Sequence, residues 1–123
     1  MSEAIRQELM RGDVVDITTR GRRTGEARRI EIRLHNVDDA LYLTGQPGPR
    51  GWHANLLMTP DFKVHLKREL IADLDAHATP VTDADEKRRI SRVILDRVGR
   101  TEQLEERIKG SPLMHIVVVI PED

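Results

Sequence analysis

Cysteine is absent from the 123 residues. That excludes a disulfide framework, Cys-ligated zinc or iron–sulfur clusters, and thiol nucleophiles. Aromatic residues are nearly absent too: one Trp, one Tyr and one Phe. So few rings make a poor platform for stacked bases. Net charge of either sign is also lacking, since 20 Lys+Arg meet 21 Asp+Glu. A bulk-basic nucleic-acid binder is not expected, and no nucleic-acid partner is assigned. No apolar run reaches the roughly 18–20 residues that span a bilayer, so no stable membrane insertion is expected. The polar stretch Met1 to Asp13 lacks the apolar core of a secretory signal, and the expected location is cytoplasmic.

What remains suits one domain over residues 1–123, with 1–13 a short N-terminal helix or arm. Val14 to Thr19 is β-branched and reads as a strand. Arg28 to His35 alternates Ile30, Ile32 and Leu34 with Arg29, Glu31 and Arg33, the pattern of a half-buried strand. Asn36 to Asp39 reads as a turn, and Leu41 to Thr44 as a third strand completing a meander. Trp52 to Met58 suggests two turns of helix, followed by strands over Phe62 to Lys67 and Leu70 to His77. Thr82-Asp83-Ala84-Asp85-Glu86 looks like a helix cap followed by an acidic first turn, and Ile90, Val93, Ile94 and Val98 keep helical spacing to Gly99. Thr101 to Lys109 predicts a shorter helix. His115 to Ile120 reads as a central strand buried on both faces. The expected fold is mainly β with flanking helices, a six-stranded antiparallel barrel.

Charge is unevenly spread. Six arginines and two glutamates fall between Arg20 and Arg33, a local net of +4 that leaves about −5 elsewhere. Arginine presents a planar fork suited to phosphate and carboxylate. With Thr19, Thr24 and the amides beside Gly21 and Gly25, this turn reads either as an anion site or as a solvated hairpin tip. Gly45 to Asn55 offers a second candidate. Trp52 and Asn55 stand three apart at a helix start, either as the edge of a cofactor site or as a core anchor and a cap. No P-loop or Rossmann fingerprint is present. His35, His53, His65, His77 and His115 show no metal-ligand spacing, so no metal is expected. His65 and His77 fall on polar strand faces and read as solvated. The serines have no nucleophile-elbow context. Any redox chemistry would therefore come from a bound cofactor.

The stretch Thr18-Thr19-Arg20-Gly21-Arg22-Arg23-Thr24-Gly25-Glu26-Ala27-Arg28 resembles the T-x-GR[KR][ST]G-x-x-R signature of deazaflavin (F420)-dependent nitroreductase-like proteins. Gly51-Trp52-His53-Ala54-Asn55-Leu56 is similar to that family's GW-x-x-NL stretch, and the order holds from about Val14 to Lys67. The resemblance implies a split β-barrel of the FMN-binding superfamily, and a reductase passing hydride between C5 of reduced F420 and a quinone, nitroaromatic or enone. By the same resemblance, Arg22, Arg23 and Thr24 meet the cofactor's phosphate or tail. Arg28, Arg29, Ile30, Glu31 and Ile32 run beside it. Thr44, Gly45 and Gln46 face the deazaflavin, and Gly51, Trp52, His53 and Asn55 close the far side. Alternatives are FMN as cofactor, or a non-catalytic carrier of F420 or another anionic ligand. The partner is a small-molecule substrate, and the chain is a monomer or homodimer. Unlike nitroreductase members, this chain carries no aromatic residue after Phe62.

Overall fold

The computed structural model describes residues 2–122. Its elements in chain order are α1 (Ser2–Met10), β1 (Val14–Arg20), β2 (Ala27–Arg33), β3 (His35–Val37), β4 (Ala40–Thr44), α2 (Gly51–Met58), β5 (Asp61–Lys67), β6 (Ile71–Pro80), α3 (Ala84–Arg97), α4 (Leu104–Gly110) and β7 (Leu113–Val118). A single 3₁₀ turn, Thr101–Gln103, leads into α4.

Seven antiparallel strands form one sheet in the order β2-β1-β5-β6-β7-β4-β3. The expected count of six is corrected by β3, which lies inside the segment taken as the end of β2 and a turn. The chain leaves the β1–β2 ladder at Leu34, whose amide makes the last in-register bond, to the Asp13 carbonyl at 3.0 Å. Asp38 and Asp39 then both take positive φ, 52° and 66°, the conformation a two-residue hairpin needs. The Asn36 side chain accepts from the Asp39 amide at 2.9 Å and holds that turn. The three-strand meander is also corrected: β4 pairs with β3 and β7, not with β2.

The two ends of the sheet, β2 and β3, are separated by Leu34 alone. A sheet whose edges are consecutive in the chain must curl until they meet, and this one does. Val15, Ile17, Leu43, Val64, Leu74 and Met114 fill its inner face, closed at one end by Ile5 and Leu9 of α1. A smaller cluster packs Ile90 and Ile94 of α3 on Val37, Tyr42 and Leu113. Asp83 caps α3 by accepting from the Glu86 amide at 2.9 Å, as its position predicts.

Two burial expectations are corrected. β7 is central, between β6 and β4, but its second face is covered only at the start, where Leu113 packs with Ile90 and Ile94, and Val117 farther along that face is 55% exposed. His65, expected to be solvated, is buried between strands. Its ring contacts the Thr18 hydroxyl and the Asp73 carboxylate, each at 2.7 Å.

The core makes a direct prediction. Ile17→Ala removes a side chain with 0% exposure and should cost about 2–5 kcal/mol in urea unfolding. Ile71→Ala, on a residue 73% exposed, should stay within about 0.5 kcal/mol of the parent.

Candidate functional site

The turn between β1 and β2 is held by its own backbone. The Gly21 amide donates to the Glu26 carbonyl and the Gly25 amide to the Gly21 carbonyl, both at 2.8 Å. Gly25 takes φ +73°, a conformation that disfavours a side chain. The Thr24 hydroxyl accepts from the Glu26 amide at 3.2 Å, which leaves its own proton available.

Asn55 ties this turn to α2. Its side chain is 6% exposed, accepts from the Arg22 amide and donates to the Thr19 hydroxyl, each at 3.1 Å. Thr19 is the last inward residue of β1 and is itself buried. The sequence singled out Asn55 as a cap or a cofactor contact. It is the joint between the glycine–arginine turn and the helix.

A cavity of about 380 Å³ lies between the turn, the start of β2 and the start of α2. Arg22, Arg23 and Arg28 line it together with Ile30 and Trp52. Trp52 is half-buried, packs on the main core and also lines the cavity. Ile30 is on the inner face of β2, yet 37% exposed, whereas Leu34 farther along that face is buried. The alternation in β2 is as expected, but its first half has nothing packed over it. No side chain caps α2, so its first amides are open at Gly51 and Trp52, where the helix dipole favours an anion. The cavity has no carboxylate in its lining, and neither Arg22 nor Arg23 forms an ion pair among the described residues.

The structure sorts the remaining expected site residues. Arg29 and Glu31 are on the outer face of β2. Arg29 bonds Asp16 at 3.0 Å, and Glu31 pairs with Lys67, which also holds Asp16. The negative charge of Glu31 is thus spent away from the cavity. Ile32 packs on the core. His53 stacks edge-on against Trp52, ring centroids 5.9 Å apart, and lies over a different hollow beside Leu57 and Lys87. Thr44 donates to the Pro112 carbonyl at 2.7 Å. The Gly45 carbonyl accepts from Arg107 at 2.8 Å, while a methyl group on Gly45 would stand 3.8 Å from the Trp52 ring. Thr44, Gly45 and Gln46 therefore border a second cavity on the other side of Trp52, not the first.

Sequence reasoning missed Arg107 and His35. Arg107 lies within an ordinary charged helix pattern, and its burial shows only once α4 is packed against the end of β4. Burial and the neighbouring Arg33, Arg97 and Arg107 lower the His35 pKa from 6.5 to about 4. The Thr18–His65–Asp73 chain has the look of a relay, but none of the three lines either cavity. Among the described residues no cluster suits a metal ion, and no helix is long and apolar enough to cross a membrane.

A curled antiparallel sheet with a cationic and apolar cleft beside one helix defines a split-barrel cofactor protein. The family model of F420H2-dependent quinone reductases matches residues 2–119, and the chain belongs to that family. It is accordingly an oxidoreductase with F420 as its cofactor. Solved structures share the fold at low identity. The conserved hypothetical protein Rv2991 of Mycobacterium tuberculosis is 15% identical with a TM-score of 0.72, covering 95% of this chain and 80% of that one. An F420-H2 dependent reductase, FDR-A, is 15% identical with a TM-score of 0.63, covering 85% and 93%. A NimC/NimA family protein of Clostridium acetobutylicum is 9% identical with a TM-score of 0.66, covering 96% and 86%. No curated protein matches the sequence.

Two outcomes are expected. Asn55→Ala orphans Thr19 and the Arg22 amide, and should cost about 1–3 kcal/mol in unfolding and speed hydrogen exchange at the Arg22 amide. His35 has a folded pKa below its ordinary one, so the unfolded chain binds the extra proton. Its contribution is full above pH 6.5 and is lost as the pH falls toward about 4. Urea unfolding across that range should show stability falling with pH, and His35→Gln should flatten the slope.

Proposed function

We propose that the chain reduces a small electron-poor acceptor, a quinone, nitroaromatic or enone, with F420H2 held in the cavity between the glycine–arginine turn and α2. The single observation that supports this most is the mixed lining of that cavity. It joins apolar Ile30 and Trp52 to three arginines, with no carboxylate. F420 has a planar ring and an anionic phosphate with a glutamate tail, and a ligand of that kind needs both kinds of lining. A volume of about 380 Å³ falls within the usual range for small-molecule sites.

In this reading Arg22 and Arg23, with the open amides of α2 and the Thr24 hydroxyl, hold the phosphate or tail. Arg28 is the weaker cation, because Glu26 stands 3.6 Å from it. Ile30 and Trp52 flank the ring and exclude water from it, and Asn55 ties the turn to α2. When bound, F420H2 supplies the hydride; no side chain of the cavity is a nucleophile or a metal ligand. The protein's part is binding and orientation.

A fluorescence titration with F420, with FMN in parallel, tests this reading. Binding at micromolar concentration is expected for F420, with quenching of Trp52. The double variant Arg22→Ala/Arg23→Ala should weaken it at least about tenfold, since charge-assisted contacts to a phosphate are lost. Both side chains are exposed, so urea stability should barely change. Undiminished F420 affinity in that variant, or tight binding of FMN alone, would overturn the assignment.

A further inference from the structure

The second cavity is also about 380 Å³, between the end of β4, the last turn of α3 and α4. Arg33, Arg100 and Arg107 line it together with His35 and Gln46, and again no carboxylate does. Arg107 is the unusual member. It is 8% exposed, and no carboxylate pairs with it among the described residues. Nη1 donates to the Gly45 carbonyl, while Nε is buried with no hydrogen-bond partner. A buried guanidinium N–H without an acceptor is costly unless something supplies one. Elsewhere this chain neutralises its arginines: Arg11, Arg29, Arg88 and Arg89 each bond a carboxylate at 3.0 Å or less. Here Arg33, Arg100 and Arg107 line one cavity with no carboxylate among them; their neutral partners are the Gly12 carbonyl, 3.1 Å from Arg33 Nη1, and Gln103 Oε1, 3.4 Å from Arg107 Nη2.

We propose that this cavity is a second oxyanion site, which takes the carboxylate or phosphate group of a small molecule between Arg33, Arg100 and Arg107. Gln46 completes it, since with its amide oxygen turned toward the helices it accepts from Arg107 at 3.2 Å and from Arg100 at 3.3 Å. That oxygen stands in for one acceptor that a ligand would bring. Arg107 also suffers from its surroundings, as burial, Arg100 and Arg50 all lower its pKa. A bound anion relieves each of these effects. Burial keeps His35 neutral near pH 7, so it offers the site one N–H donor without a further charge. Gly45 links the two regions, with Arg107 on its carbonyl and the Trp52 ring 3.8 Å from where a Cβ on Gly45 would stand. An anion here can belong to an acceptor or to the tail of a cofactor seated next door.

The test follows the Arg107 Nε–Hε signal by NMR in the protein without cofactor, titrated with inorganic phosphate and with a dicarboxylate. A saturable shift at millimolar concentration is expected for at least one of them. Arg100→Gln should weaken it about tenfold, and that side chain is exposed, so folding should survive. Arg22→Ala/Arg23→Ala should leave the shift intact. F420 with and without its glutamate tail then separates the sources. A shift only with the tailed form assigns the site to the tail, and no shift with either assigns it to the acceptor. No response to phosphate or dicarboxylate, or a response abolished by the Arg22/Arg23 variant instead of by Arg100→Gln, would overturn the proposal. Neither result bears on F420 binding in the first cavity, which is measured separately.

Discussion

The break at Leu34 is the constraint on which the rest of the structure depends. One buried leucine, with its amide turned to Asp13, lets a continuous stretch of chain serve as both edges of one sheet. A straight strand through this point would have extended the ladder and left the sheet open. With the bend, the second half of the segment goes to the far edge and pairs with β4, and the sheet curls around its own core. The first half stays paired only to β1, and as far as Ile30 it stands clear of the core, which Ile32 alone of β2 reaches. The cleft beside Ile30 is a consequence of that geometry. An inward-facing apolar residue is left without a cover because the strand beneath it has to reach away to close the barrel.

Charge is then sorted by face. On the outer side of β1, β2, β5 and β6, opposite charges lie across from each other. Asp16 sits between Arg29 and Lys67, Lys67 also meets Glu31, and Lys63 meets Asp75. Exposed pairs of this kind contribute little to stability. Their consequence is that the outer face presents no net field. Among the described residues, Arg28 is the one arginine around the two cavities with such a neighbour, Glu26 at 3.6 Å, although the chain holds 21 acidic residues. A net charge of −1 conceals this separation, and the unpaired cations, not the total, describe what the surface attracts.

Strand identity and the side chains on each face were legible in the sequence, because a period of two fixes which residues share a face. So was the concentration of cationic charge around two glycines that puts Arg22 and Arg23 in the lining of the first cavity. Pairing partners were not legible. Nothing local says that β4 joins β7 instead of β2, since that follows from the bend at Leu34, a residue that continues the strand's apolar alternation. His65 escaped for the same reason. Its alternation places it outward, as it is, but the sequence does not show that Thr18 and Asp73 flank it from neighbouring strands and bury it. Thr44, Gly45 and Gln46 fall within a loop that the resemblance links to the cofactor, yet their side chains and carbonyls turn toward α4. The sequence could not reveal this, because α4 comes about 60 residues later and its one inward arginine has no periodic signature.

Three guanidiniums and no carboxylate around one cavity raise the free energy of the folded state, and the chain retains them at the end of a barrel that already folds on its apolar interior. Replacing Arg107 by a well-packed apolar residue would remove both the desolvation cost and the orphaned N–H. Its place is not explained by stability alone. Its bond to the Gly45 carbonyl holds the backbone beside Trp52. An anion bound in this cavity would lower the repulsion around Arg107 and stabilise the folded state by its own binding free energy.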